Sequence, residues 1–270
     1  MEQASTSSGP TTGRSRRPLT PFHHSGARRR RTRAAAAPGS APDAVHAERE
    51  PNFLLAKVEQ RCLRAIARRL PRWVVPNDLT ALGVLSALGI FASYVLSNGD
   101  PGWLWLASAL LVVHWLGDSL DGTLARVREI QRPRYGYYLD HLVDAISTAL
   151  IGIGLGLSPF MLLSVGTLIV VAYLVLSINV YLESQALGRF SIGYGRVGPT
   201  EVRLCLIALN IALALGLGAG FTALGIGLTA LDVAGVAIAC TMLALVVGRA
   251  RKNLRELAAA DPAAARVWGR

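Results

Sequence analysis

Long uncharged runs dominate the middle and the end of the chain. No residue carries a formal charge within residues 79–99, 145–182 or 204–231. Each run reaches the roughly 20 residues that an α-helix needs to cross about 30 Å of hydrocarbon. The pattern therefore predicts an all-α, polytopic membrane protein rather than a soluble helical core.

Turn and breaker residues divide the apolar segments into six predicted spans. "SNGDPG" ends the first span, and "LSP" interrupts the longest uncharged run. The expected spans cover approximately residues 79–97, 103–123, 137–156, 160–182, 204–221 and 231–247. They form a six-helix membrane domain over residues 74–250, and residues 251–270 are expected to be a C-terminal tail.

The segment before the first span has a different spacing of apolar residues. In "FLLAKVEQRCLRAIARRLPRW", apolar residues recur every three or four positions and basic residues lie between them. This pattern predicts an amphipathic helix within residues 51–73 that lies in the membrane interface. Pro71 is expected to end it.

The formal net charge of +11 is unevenly distributed, and much of it lies in residues 1–50. This segment is rich in Ser, Pro, Ala and Arg, so it is expected to be a disordered basic tail attracted to anionic lipid headgroups. No recognisable nucleic-acid-binding fold accompanies the charge, and nucleic acid is not an expected partner.

The loop charges predict an orientation. The loops after the second and fourth spans and the segment after the sixth contain several Arg or Lys residues. The intervening loops, "SNGDP", "LSP" and "GLGAGFTALG", contain none. The positive-inside rule then places both termini on the cytoplasmic side of the cell membrane, together with the end of the second span.

Four aspartates interrupt this apolar chain near the second and third spans. Asp118 and Asp121 are three residues apart, and Asp140 and Asp144 are four apart. Each spacing puts both carboxylates on one face of a helix. A short basic loop joins the two helices, so the pairs are expected to face each other across one gap.

Four carboxylates in one gap need counter-charge, because burial strengthens their mutual repulsion. Divalent cations supply it, and hard oxygen ligands favour magnesium, manganese or calcium over zinc. Two metal ions about 4 Å apart are a common device for phosphoryl transfer. The alternative is a set of helix-end residues that face water or pair with nearby arginines.

Small and basic residues accompany the aspartates. Gly122 and Ala125 leave a groove in which a nucleotide could lie, and Arg126 offers a forked donor to phosphate oxygens. Gly136 leaves similar room at the start of the third span. The complete set reads D-x2-D-G-x2-A-R-x9-G-x3-D-x3-D.

This set closely resembles the signature of the CDP-alcohol phosphotransferase family, and the resemblance extends over about residues 53–250. The family implies attack of an alcohol hydroxyl on the phosphate of a CDP-linked donor, with release of CMP, and commonly a homodimer. By resemblance Asp144 is the general base and can also contact a metal. Two ions, Mg²⁺ or Mn²⁺, are then held by Asp118, Asp121 and Asp140, and the CDP site is lined by Gly122, Ala125 and Arg126.

Two further elements support the match. "PNDLT" resembles a family element that opens the first span, so Asn77 could help to form the nucleotide site; the alternative is a helix N-cap. Arg189, Arg196 and Arg203 could bind the phosphate of an acceptor or of a lipid donor. The alternative for these arginines is ordinary positive-inside charge.

Two versions of the reaction are open. A CDP-diacylglycerol donor with a small polar acceptor is favoured by the short chain and the three arginines. A small CDP-alcohol with a lipid acceptor, as in choline and ethanolamine phosphotransferases, is favoured by the Asp-His pair of "LDHLVD". Membrane prenyltransferases lack the Gly-x-x-Ala-Arg insert, and a non-catalytic scaffold would not need all four aspartates.

Overall fold

The structure is a computed structural model that describes residues 56–188, 198–217, 220–223 and 226–261. The expected basic tail at residues 1–50 lies outside the described residues. The same holds for residues 51–55 of the expected interfacial segment and for 262–270 of the expected C-terminal tail.

Within the described residues the chain forms seven helices and one short antiparallel hairpin. The prediction of an all-α membrane protein is confirmed, and the hairpin is a small addition that the sequence pattern did not indicate. The elements are α1 (Ala56–Arg69), α2 (Pro76–Leu96), α3 (Trp103–Val127), α4 (Pro133–Gly156), α5 (Leu163–Leu187), α6 (Pro199–Ala214), β1 (Gly220–Ala223), β2 (Ile226–Thr229) and α7 (Ala230–Ala260).

Five of the described helices, α2, α3, α4, α5 and α7, are long and apolar enough to cross a membrane. Large apolar side chains face outward from them, such as Leu85 and Leu182, which are 65% and 63% exposed. Helix α6 has 16 residues, fewer than the roughly 20 that a span perpendicular to the bilayer needs. The count of six spans therefore stays an expectation.

Several expected boundaries differ by a few residues, and the C-terminal ends of the fifth and sixth spans differ most. The fifth span was expected over 204–221, but α6 ends at Ala214. Gly216 then adopts a φ of 77°, and the amide of Leu217 closes back onto the Ala212 carbonyl, as in a glycine-terminated helix. Helix α7 continues to Ala260, so residues 251–260 of the expected tail are helical.

Helices α2 and α3 pack with their backbones in direct contact. A Cβ atom on Gly117 would lie only 2.6 Å from the carbonyl oxygen of Leu79 and 2.8 Å from the amide nitrogen of Gly83. No side chain fits between the helices at this level, a packing mode that small residues provide in membranes. The contact places α2 against the turn of α3 that begins with Asp118.

Helix α1 lies against the site end of α3. Its buried residues Leu63 and Ala67 pack in one cluster with Leu120 and Leu124 of α3. Arg128, just after α3, donates to the carbonyl oxygens of Leu70, Pro71 and Val74. The described helix ends at Arg69, before Pro71. These contacts attach α1 to the membrane domain through its buried face and its C-terminal end.

Candidate active site

The four aspartates lie near the C-terminal end of α3 and the N-terminal part of α4, two helices that both pack against α2. Asp144 lies close enough to Asp118 and Asp140 for the three carboxylate charges to interact. Asp121 lies within the electrostatic reach of both Asp118 and Asp140. Two helical pairs of carboxylates therefore form one cluster, in which each helix contributes two side chains.

Asp121 is oriented by two donors. The hydroxyl of Thr80 on α2 donates to Oδ2 over 2.6 Å, and the backbone amide of Gly122 donates to Oδ1 over 2.5 Å. The same hydroxyl oxygen lies 3.2 Å from the carbonyl oxygen of Pro76, one turn earlier. Its single proton goes to the shorter contact with Asp121, so Thr80 orients a carboxylate of the next helix.

Arg203 brings α6 into the cluster. Its Nη2 lies 2.5 Å from Oδ2 of Asp118, and the two side chains are only 14% and 19% exposed. An arginine in a charge-assisted hydrogen bond to a carboxylate can also offer its other donors to an anion. Arg189 and Arg196, which were grouped with it in the sequence, lie outside the described residues.

Arg126 folds back along its own helix. Its Nη2 donates to Thr123 Oγ1 over 3.1 Å, and its Nη1 would lie 3.4 Å from a Cβ on Gly122. Half-buried Ala125 lies beside them in sequence. A Cβ on Gly136 would meet nothing within 4 Å. The small residue at 136 is therefore not required by packing against the residues that the structure describes.

Asn77 does not cap α2. The cap position is Val75, and its amide donates to the carboxylate of Asp78 over 3.0 Å, so the N-cap interpretation of Asn77 was wrong. The amide of Asn77 instead donates to the Tyr135 hydroxyl over 3.3 Å. The Arg132 guanidinium lies 4.2 Å from the centre of the Tyr135 ring. Asn77 thereby links α2 to the start of α4.

His141 lies between two tyrosines beside the carboxylates. Its ring stacks on Tyr181 of α5 at 4.7 Å and meets the edge of Tyr137 at 4.1 Å. Its Nδ1 lies 3.4 Å from Oδ2 of Asp140. Asp140, His141 and Asp144 can each present one ligand atom within 4.8 Å of the others.

Comparison with known proteins identifies the family. Residues 73–247 match the family model for CDP-alcohol phosphatidyltransferase. The chain belongs to this family. Its helices and its family together establish an integral membrane protein.

The relatives that this chain resembles are named as two transferases and a synthase. The chain is 26% identical to cholinephosphotransferase 1 of Danio rerio over 55% of this chain and 40% of that protein. It is 28% identical to archaetidylinositol phosphate synthase of Pyrococcus horikoshii over 53% of this chain and 73% of that protein. It is also 28% identical to CDP-diacylglycerol–glycerol-3-phosphate 3-phosphatidyltransferase of Cereibacter sphaeroides, over 42% of this chain and 52% of that protein.

CDP-alcohol phosphatidyltransferases generally depend on a divalent metal, and the donor set of this chain fits one. Carboxylate oxygens are the ligands that Mg²⁺ and Mn²⁺ prefer, and an imidazole nitrogen also suits a first-row divalent ion. Four carboxylates meet in a partly buried gap, where repulsion among their charges is costly without cations. The chemistry of these residues thus agrees with the family's dependence on a divalent metal ion.

Sequence reasoning missed several residues at this site. Thr80 lies in the "PNDLT" element that drew attention to Asn77, so its position in that element was a usable signal. Tyr135 and Tyr181 carry no spacing that would connect them to the aspartates. Their contacts arise because α2, α4 and α5 pack together.

Proposed function

We propose that this protein transfers a substituted phosphate group from a CDP-linked donor to an alcohol hydroxyl and releases CMP. The convergence of four carboxylates from α3 and α4 carries the proposal. Asp118, Asp121, Asp140 and Asp144 would hold two divalent cations, Mg²⁺ or Mn²⁺. Such ions neutralise a diphosphate and stabilise the charge that develops on a leaving phosphate.

Asp144 is the proposed general base. It accepts the proton of the acceptor hydroxyl, the hydroxyl oxygen bonds to phosphorus, and the bond from that phosphorus to the CMP oxygen breaks. Its position supports this role, because it belongs to the same carboxylate cluster as the proposed metal ligands, next to which the donor phosphate would bind. Asp118, Asp121 and Asp140 keep the role of metal ligands.

The nucleotide is proposed to lie along α3. Gly122 and Ala125 leave room on that helix, and Arg126 reaches back over Gly122 to where it can donate to phosphate oxygens. Gly136 leaves open space at the start of α4. Asn77, through its contact with Tyr135, is proposed to complete the nucleotide site.

We infer a CDP-diacylglycerol donor and a small, phosphorylated or anionic acceptor. The contact of Arg203 with Asp118 supports this, since it puts a guanidinium beside the carboxylates, where an acceptor phosphate would add negative charge. Arg189 and Arg196 are proposed to extend the same anion site. The name of the Cereibacter sphaeroides relative states a CDP-diacylglycerol donor and a glycerol-3-phosphate acceptor. The name archaetidylinositol phosphate synthase likewise contains a phosphorylated alcohol.

A second candidate uses a small CDP-alcohol and a lipid acceptor. The observation that favours it is His141, which lies against Asp140 between two tyrosine rings. The similarity to cholinephosphotransferase 1 of Danio rerio supports the same candidate. For either donor, we propose a homodimer in contact with membrane lipids, with the site and both termini on the cytoplasmic side of the cell membrane.

Release of CMP from purified protein tests the reaction and both donors. One arm offers CDP-diacylglycerol with glycerol 3-phosphate, inositol phosphate, inositol or serine, each singly. The other arm offers CDP-choline or CDP-ethanolamine with diacylglycerol. We expect release in one arm, its loss with EDTA and its return with Mg²⁺ or Mn²⁺.

Asp144→Asn provides the decisive variant. It removes the base while keeping the side-chain size, and we expect release to fall by about 10²- to 10⁴-fold. Asp100→Asn is the matched control, since Asp100 precedes α3 at the opposite end from the cluster and its Oδ1 acceptor survives the change. Metal-independent release, or equal rates for Asp144→Asn and Asp100→Asn, would overturn the proposal.

A further inference from the structure

Glu59 on α1 contacts two other helices through one carboxylate. Its Oε1 accepts from the indole Nε1 of Trp115 over 3.0 Å and from the hydroxyl of Ser119 over 3.4 Å, both on α3. Its Oε2 accepts from the hydroxyl of Thr200 on α6 over 3.0 Å. An acidic residue in the first turn of a helix can simply complement the helix dipole, but that role requires no partners on other helices.

The helix positions that Glu59 contacts lie next to an ion pair of the candidate site. Ser119 directly follows Asp118, and Thr200 precedes Arg203 by three residues, on the same face of α6. The Glu59 bridge and the Arg203–Asp118 pair therefore join α3 and α6 within about one helical turn of each other.

Helix α1 is itself firmly attached, which allows Glu59 to act as a support. Leu63 and Ala67 are 4% and 2% exposed against α3. Arg128 holds the opposite end of α1 through three backbone carbonyls. Helix α6 reaches this region with its first turn, which begins at Pro199 and contains Thr200.

We propose that Glu59 is a positioning residue for the reaction. It fixes the first turn of α6 against α3 and thereby holds the Arg203 guanidinium beside Asp118. The interfacial helix α1 is then part of the support of the site in addition to a contact with lipid. The placement of α6 by Glu59, the structural half, does not depend on the proposed function. The effect of Glu59 on acceptor binding, the kinetic half, rests on it.

Hydrogen exchange of the purified full chain tests the structural half. Glu59→Ala and Thr200→Val each remove the bridge, so amides in the first turns of α6 should exchange about tenfold faster, which corresponds to one lost hydrogen-bond contribution. Thr200→Ser keeps the hydroxyl and should match wild type. Gln60→Ala, an exposed neighbour on α1, should also match.

Glu59→Gln separates hydrogen bonding from charge. Its carbonyl oxygen can still accept from Trp115, and its amide can donate to the Thr200 hydroxyl, which is also an acceptor. Exchange at α6 in this variant should lie between wild type and Glu59→Ala, because a neutral hydrogen bond contributes about half as much as one to a charged group. Exchange as fast as in Glu59→Ala would show that the charge acts alone and would overturn the proposal.

Kinetics test the path through Arg203. With the acceptor that releases CMP in the panel, Glu59→Ala should raise the acceptor KM by about tenfold and leave the donor KM unchanged. In an Arg203→Ala background the same change should have no further effect on the acceptor KM. Additive effects, or unchanged exchange at α6 in Glu59→Ala, would contradict a positioning role, and the exchange result holds even if no acceptor is found.

Discussion

Thr80 donates its hydroxyl proton to Asp121 over 2.6 Å, across the interface between α2 and α3. The two residues are 41 positions apart in sequence. The contact depends on the close approach of the two helices at Gly117, because a side chain at position 117 would push them apart. A residue that presents no ligand atom to the gap thus controls the direction in which a proposed metal ligand points.

Thr80→Val is expected to weaken metal binding without removing a ligand. The variant keeps the shape of the side chain but loses the donor that orients Asp121. Loss of such an outer partner typically costs about 10- to 100-fold in metal affinity or activity. The Mg²⁺ concentration for half-maximal CMP release should rise accordingly, and metal-induced thermal stabilisation should shift in parallel.

Thr80→Ser is the matched control for that experiment. It retains the hydroxyl, so its Mg²⁺ dependence should be close to that of wild type. If Thr80→Val and Thr80→Ser show the same Mg²⁺ dependence, the hydrogen bond to Asp121 has no part in metal binding.

Arg203→Ala is expected to weaken acceptor binding selectively. Hydrogen bonds to charged groups contribute about 1.5–3 kcal/mol, so the KM of a phosphorylated acceptor should rise by about 10- to 100-fold. The Mg²⁺ requirement should not rise, because removal of a cation from Asp118 leaves that carboxylate more available. Arg203→Lys keeps the positive charge but not the paired N–H donors of the guanidinium. Its acceptor KM should lie between those of wild type and Arg203→Ala. A donor KM that rises instead would place Arg203 at the donor phosphate.

Gly117→Ala is expected to destabilise the membrane domain. The added Cβ would lie 2.6 Å from the Leu79 carbonyl oxygen, so α2 and α3 must separate. Overpacking of this kind costs about 1–3 kcal/mol, and thermal unfolding in detergent should occur at lower temperature.

Gly136→Ala is the informative comparison, because its Cβ would meet no atom of the described residues within 4 Å. Its unfolding temperature should equal that of wild type, while its KM for the CDP donor rises if the open space receives the nucleotide. An unchanged donor KM would exclude residue 136 from the donor site, and a lowered unfolding temperature would indicate a packing role instead.

Much of this protein follows from its sequence for physical reasons. Hydrocarbon admits only long apolar helices, so the uncharged runs determined the helical class and the approximate spans. The three- and four-residue spacings put each pair of aspartates on one helix face. The expectation that the short loop makes the two helices direct neighbours was wrong, because within the described residues α3 and α4 each pack mainly against α2. Pro71 likewise marked the end of α1, because proline cannot continue a helix.

Only the tertiary structure decided how the remaining helices complete the site. The partners of Asp121, Asp118 and Glu59 are Thr80, Arg203 and Thr200, at sequence separations of 41, 85 and 141 residues. No periodicity connects such positions, because helix packing angles and backbone contacts such as Gly83 against Gly117 set them. The sequence alone determined which carboxylates share a helix face, and packing determined which donors hold them.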